Sequence, residues 1–222
     1  MPETSTPADR WRQALLELTA NKQAAAEWRR RRYAFAHRLG TALTAGEGTD
    51  PGITGSVLYG VWLTWGLIYV GQTGEAQRRL RDLAVGESHH LANTYPPEIW
   101  SRVAVIEWPR LSAASAAIGL HSEPVAGLAL EHRLQSVLHP LANASRRTPE
   151  GGWRSVDWAG SRSRGARAAR EIDELFASVL AAWQVVERWT AAGDELLPAA
   201  CHVVFPGDLL TADSDDGPMD HH

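Results

Sequence analysis

Four side chains in this sequence are of types that can do phosphate or cation chemistry: Tyr59, Tyr69, Arg79 and Glu131. A phenol can position or deprotonate a water, a guanidinium can fork onto phosphoryl oxygens, and a carboxylate can hold a hard cation. Tyr59, Tyr69 and Arg79 succeed one another at intervals of about ten residues. That spacing lets them meet on one face only if a hairpin and then a helix carry them. Without such elements, tyrosines in strands fill cores and an arginine on a helix faces water.

The residues around them predict those elements. Residues 57–63 are a β-branched and aromatic run, Thr64, Trp65 and Gly66 supply a turn, and residues 67–70 are a second run, which is a β-hairpin pattern. Gly71 and the Thr73-Gly74 pair end the second strand, and residues 75–83 read as an arginine-rich helix that Thr73 is placed to cap. A polar loop over 85–97 holds His89, His90 and Asn93, and a further strand is expected over 99–107. Residues 111–119 suit a short helix or a loop. Ser122, Glu123 and Pro124 then read as a helix start, with a capping hydroxyl and a proline in the first turn, for a helix reaching about residue 138. On that helix Glu131 shares a face with Gly127, Leu128, Leu134, Gln135 and Leu138. A carboxylate there stands at the edge of the core or holds a cation, because an unpaired buried charge is costly.

With these residues in order the chain resembles the GIY-YIG endonucleases over about residues 55–145. Tyr69-Val70-Gly71 resembles the second tripeptide, with valine for isoleucine, and Val57-Leu58-Tyr59 keeps the tyrosine of the first but has valine where glycine is usual. A rival register, Gly60-Val61-Trp62, keeps the glycine and loses the tyrosine; the spacing to Tyr69 favours Tyr59. The resemblance implies that Arg79 is the catalytic arginine, that Glu131 ligates one Mg2+ or Mn2+, and that Asn143, after the Pro140 turn, completes the set. Leu83 departs from the histidine or tyrosine common four residues after the arginine, and His90, in preference to His89, is the substitute expected. Gln72 replaces a lysine found in some members.

The flanks are helical or charged. Residues 9–43 carry apolar side chains at mostly helical intervals, in one long helix or two, and include Arg29, Arg30, Arg31 and Arg32 in a row, either a phosphate-contacting patch or a solvated face. Residues 40–55 read as a linker. Between 145 and 170 seven arginines face two acids, with Trp153 and Trp158 interleaved, and Arg146, Arg147, Arg154, Arg162 and Arg164 are the candidates for contact with a nucleic-acid backbone. A helix over about 166–192 is expected to pack on the N-terminal helix or on a second subunit. Residues 203–206 can add a small edge strand.

The formal net charge of -4 argues against coating nucleic acid by bulk charge, but five acids fall after residue 207 and leave the body close to neutral. The single Cys201 excludes an internal disulfide or a cysteine-built zinc site, and no apolar stretch reaches about 18 residues. A cytoplasmic protein without a membrane span is expected.

The expected architecture is α+β: a small GIY-YIG-like core with a three-stranded, mainly antiparallel sheet flanked by helices, plus added N- and C-terminal helices. Its segments are an N-terminal extension and linker over 1–50, the nuclease-like core over 51–145, a basic segment and helix over 146–207, and an acidic, disordered tail over 208–222. The expected activity is metal-dependent cleavage of double-stranded DNA, restriction-type in character, leaving 5'-phosphate and 3'-hydroxyl ends, with a homodimer formed through the added helices. The alternatives are a DNA-binding module that has lost catalysis and an RNA-directed nuclease.

Overall fold

Alternation along residues 57–63 decides the architecture. Val57, Tyr59 and Val61 point to one face of the sheet and Leu58, Gly60 and Trp62 to the other, and both faces are buried. A strand apolar on both sides needs cover on both sides, and helices supply it. The structure, a computed structural model, describes residues 6–46, 52–86, 91–192 and 196–211. Within these the helices are α1 (Pro7–Ala20), α2 (Lys22–Leu43), α3 (Ala76–Leu83), α4 (Leu91–Thr94), α5 (Ala114–His121), α6 (Glu123–Leu138), α7 (Arg164–Ala168), α8 (Asp173–Arg188) and α9 (Pro206–Thr211). The strands are β1 (Val57–Leu63), β2 (Gly66–Thr73), β3 (Arg102–Ile106) and β4 (Cys201–Val204).

The fold is α+β, and its sheet is fully antiparallel with the order β2-β1-β3-β4. Four strands replace the three expected: residues 201–204 pair along β3, two positions earlier than the short strand read from the sequence. One face of the sheet packs Val57, Tyr59, Val61, Tyr69, Val103 and Val105 against α2, α3 and α4. The other packs Leu58, Trp62, Ala104 and Ile106 against α5, α6 and α8.

Several local expectations change for identifiable reasons. The N-terminal helix is two helices, because Asn21 is extended and its side chain accepts from the Ala24 amide at 2.9 Å, ending α1 and capping α2 at once. Gly40 belongs to α2 and not to a linker: a Cβ there would stand 2.6 Å from the Arg81 Cα, so the glycine is what lets α2 and α3 approach. Thr73 does not cap α3; its hydroxyl accepts from the Glu75 amide at 3.0 Å and tightens the turn before the helix. Ser122 marks the expected start of α6, but it also ends α5, and a φ of 69° turns its hydroxyl away from any helix-capping bond. The C-terminal helix is split into α7 and α8, and α8 packs on the sheet, with Trp183 5.3 Å from Trp62 between ring centres, not on α1. Residues 147–153 form a small hairpin, closed by Thr148 N donating to Gly152 O at 2.8 Å, where a flexible stretch was expected.

Candidate active site

The edge of β2 gathers the candidate residues. Tyr59 on β1 pairs with Gly71 on β2, which puts it diagonal to Tyr69 on the same face, and the ring centres lie 5.9 Å apart. Gly71 makes this possible. A Cβ at that position would sit 2.6 Å from the hydroxyl and ring of Tyr59 and 2.7 Å from the Tyr69 ring. Gly60 lies on the opposite face, where a Cβ would strike Trp62 and Trp183. Helix α3 buries Ala76, Leu80 and Leu83, which leaves Arg79 on its flank, and the Arg79 Nε donates to the Tyr59 hydroxyl at 3.1 Å. Arg79 is hydrogen-bonded to Tyr69 as well. Leu83 is wholly buried, so the helical position one turn after the arginine serves the core.

Both phenols are held neutral. Burial pushes Tyr59 above its ordinary value although Arg79 pulls it down, and burial together with the neighbouring Tyr59 raises Tyr69 as well. The two hydroxyls are hydrogen-bonded to one another.

Glu131 reaches the same edge from α6. Its Oε1 accepts from Gln135 Nε2 at 3.0 Å, and among the described residues no hydrogen bond reaches its Oε2. Burial pushes the carboxyl up to about 7, against the pull of Arg146, the Gln135 hydrogen bond and Arg79. A charge whose folded value is raised destabilises the fold as pH rises. Below the ordinary value of 4.5 the carboxyl is protonated in the folded and the unfolded chain alike, and above 7 the folded protein carries a desolvated charge. Glu131→Gln is therefore expected to raise Tm by about 5 °C at pH 8, with the gain vanishing toward pH 4.5, in thermal melts of both proteins across that range.

Asn143 is a clamp and not a lining group. Its Oδ1 accepts from Val70 N at 3.0 Å and its Nδ2 donates to Val70 O at 2.9 Å, while Ala142 N donates to Ile68 O at 2.6 Å. The outer edge of β2 is thus paired by the segment after α6, which fixes Tyr69 beside it. Asn143→Ala is expected to cost about 1–3 kcal/mol by leaving the buried Val70 amide unpaired, while the Val70 carbonyl keeps its bond from Gln135, measured by urea unfolding.

The remaining expected residues divide. His90, like His89, lies outside the described residues. Arg146 is at the site itself: its Nε donates to Gln135 Oε1 at 3.0 Å and its Nη2 to the His132 ring. Arg147 is bound to the carbonyls of His139, Pro140 and Gly151, and Arg154 donates to the Arg147 carbonyl, while Arg162 and Arg164 are exposed. Of the N-terminal run, Arg30 pairs with Glu27, Arg31 with Glu17 and Arg32 with Glu98, and Arg29 is exposed. A uniform phosphate-contacting patch is not what these four form: Arg32 is turned inward, where it ties α2 to the loop after α4.

Sequence reasoning missed the role of Gln135 and His132. The signal for Gln135 was present in its position one turn after Glu131; the role of His132 emerges only from the return of Arg146 to α6. Among the described residues no three His, Cys, Asp or Glu side chains cluster to hold a metal. A lone carboxylate with one open oxygen fits a Mg2+-like ion, which keeps several waters and shares substrate oxygens. No described helix is long and apolar enough to cross a membrane. No protein-family model, no curated protein and no solved structure matches this chain.

Proposed function

We propose that the protein is a metal-dependent endonuclease that hydrolyses phosphodiester bonds in double-stranded DNA, with the GIY-YIG-like arrangement of Tyr59, Tyr69, Arg79 and Glu131 as its active site. The single observation that carries this reading is the convergence of two phenols, a guanidinium and a carboxylate from β1, β2, α3 and α6 at one sheet edge. A core without chemistry has no use for four such groups, each burdened by desolvation.

Glu131 would hold the Mg2+ or Mn2+ through Oε2, and the ion would supply charge for the leaving 3'-oxygen. Arg79 neutralises the non-bridging oxygens as charge builds on them. Tyr59, having lost its proton to solvent with Arg79 lowering its pKa, would orient the attacking water and take up the water's proton as a phenolate; Tyr69 lies beside it. Arg146 and the exposed Arg162 and Arg164 contribute to holding the strand.

The test is cleavage of supercoiled plasmid in Mg2+, in EDTA and by Glu131→Ala. Nicking or linearisation by the parent alone supports the reading; cleavage that survives in Glu131→Ala overturns the metal assignment. A second reading, binding without cleavage, is favoured by the neutral state of both phenols. It predicts retained DNA binding with no cleavage of duplex, branched or single-stranded DNA, or of RNA.

A further inference from the structure

We infer that His132 and Gln135 hold Arg146 off Glu131 and so keep the second oxygen of that carboxylate open for a divalent cation. A guanidinium beside a carboxylate ordinarily forks onto it with two parallel hydrogen bonds, which fills the oxygens a cation would use. Arg146 lies close enough to Glu131 to stabilise its charge, yet its hydrogen bonds go elsewhere.

The amide of Gln135 can point only one way. Its nitrogen faces two acceptors, Glu131 Oε1 at 3.0 Å and Val70 O at 3.1 Å, and its oxygen faces the Arg146 Nε at 3.0 Å. Reversed, the amide would set oxygen against two oxygens and nitrogen against a cation. Both amide hydrogens are therefore committed, one of them to Glu131. From the far side the Arg146 Nη2 donates to the His132 ring, whose Nε2 is hydrogen-bonded with Ser163 Oγ at 3.1 Å. Ser163 is itself fixed as the cap of α7, accepting from Ala166 N. The chain of contacts runs from α7 through His132 to Arg146 and Gln135 and ends on Glu131 Oε1. It leaves Oε2 alone.

This inference rests on the proposed metal site, and the measurement separates the two. Mn2+ is titrated into the full chain and the free ion tracked by electron paramagnetic resonance. The parent and Glu131→Gln establish whether a Glu131-dependent site exists; its absence overturns both the metal reading and the role given to His132. With the site present, His132→Ala is expected to weaken Mn2+ binding about tenfold, as loss of a group that orients a metal ligand does, because Arg146 closes on Glu131. Arg146→Met in the His132→Ala background is expected to restore most of that loss. His132→Gln, whose amide oxygen can still accept from Arg146, is expected to bind as the parent does. Unchanged binding in His132→Ala, or no recovery in the double variant, overturns the inference while leaving the metal site standing. Thermal melts of each variant separate lost folding from lost binding.

Discussion

Arg79→Ala is expected to lower the rate of phosphodiester cleavage about 10²- to 10³-fold, the usual effect of removing one group that stabilises transition-state charge. The rate is to be read in single-turnover cleavage with protein in excess, so that binding and chemistry are separated. Two consequences distinguish this role from a structural one. Arg79→Lys should recover little of the rate, because an ammonium keeps the charge but lacks the fork that holds the Tyr59 hydroxyl and would still leave nitrogens for a phosphoryl oxygen. DNA affinity, in contrast, should change far less than the rate, since the interaction is made chiefly as charge develops. An equal loss of affinity and rate would instead make Arg79 a binding residue, and would favour the reading of the protein as a module that binds without cutting.

Gly71→Ala is expected to be as damaging to activity while touching no substrate. The added methyl group would lie 2.6 Å from the Tyr59 ring and hydroxyl, well inside van der Waals contact, and Tyr59 is fully buried with nowhere to retreat. Overpacking of this kind costs on the order of 1–3 kcal/mol, and whichever phenol yields leaves the hydrogen bond to Arg79. Chemical denaturation measures the first effect and cleavage the second. Tyr59→Leu in the Gly71→Ala background should recover stability, because the shorter side chain makes room, and should not recover cleavage. Recovery of both would show that Tyr59 has no part in the chemistry.

These two positions also show what a single sequence discloses. The hairpin of β1 and β2, the helix after it and the extent of α6 were legible, because alternating apolar residues, a glycine turn and a proline in a first turn are local signals. The meeting of Tyr59, Tyr69 and Arg79 could be read from that local order. The purpose of Gly71 could not, since the clash it avoids is with a residue on the neighbouring strand. Asn143 was singled out through the family resemblance but not as a clamp on Val70, a bond between residues 73 positions apart. Arg146 read as one more cation in a basic stretch, because nothing local says that the chain turns back and lays it beside Glu131 and His132. The break at Asn21 was likewise open, as the same residue suits a helix interior poorly and a cap well.

The position of β1 in the sheet carries a last consequence. It is flanked by β2 and β3 and covered on both faces, so its amide hydrogens, above all those bonded to β3, are expected to be among the slowest to exchange with solvent. Tyr59 is built into that strand, whereas Arg79 and Glu131 ride on helices at the margin, and the edge of β2 is held by a few bonds to Val70 and Ile68. Deuterium should therefore enter β2 and α3 well before β1. The margin that carries Arg79 loosens first, while the Tyr59 phenol stays in register for as long as the chain is folded.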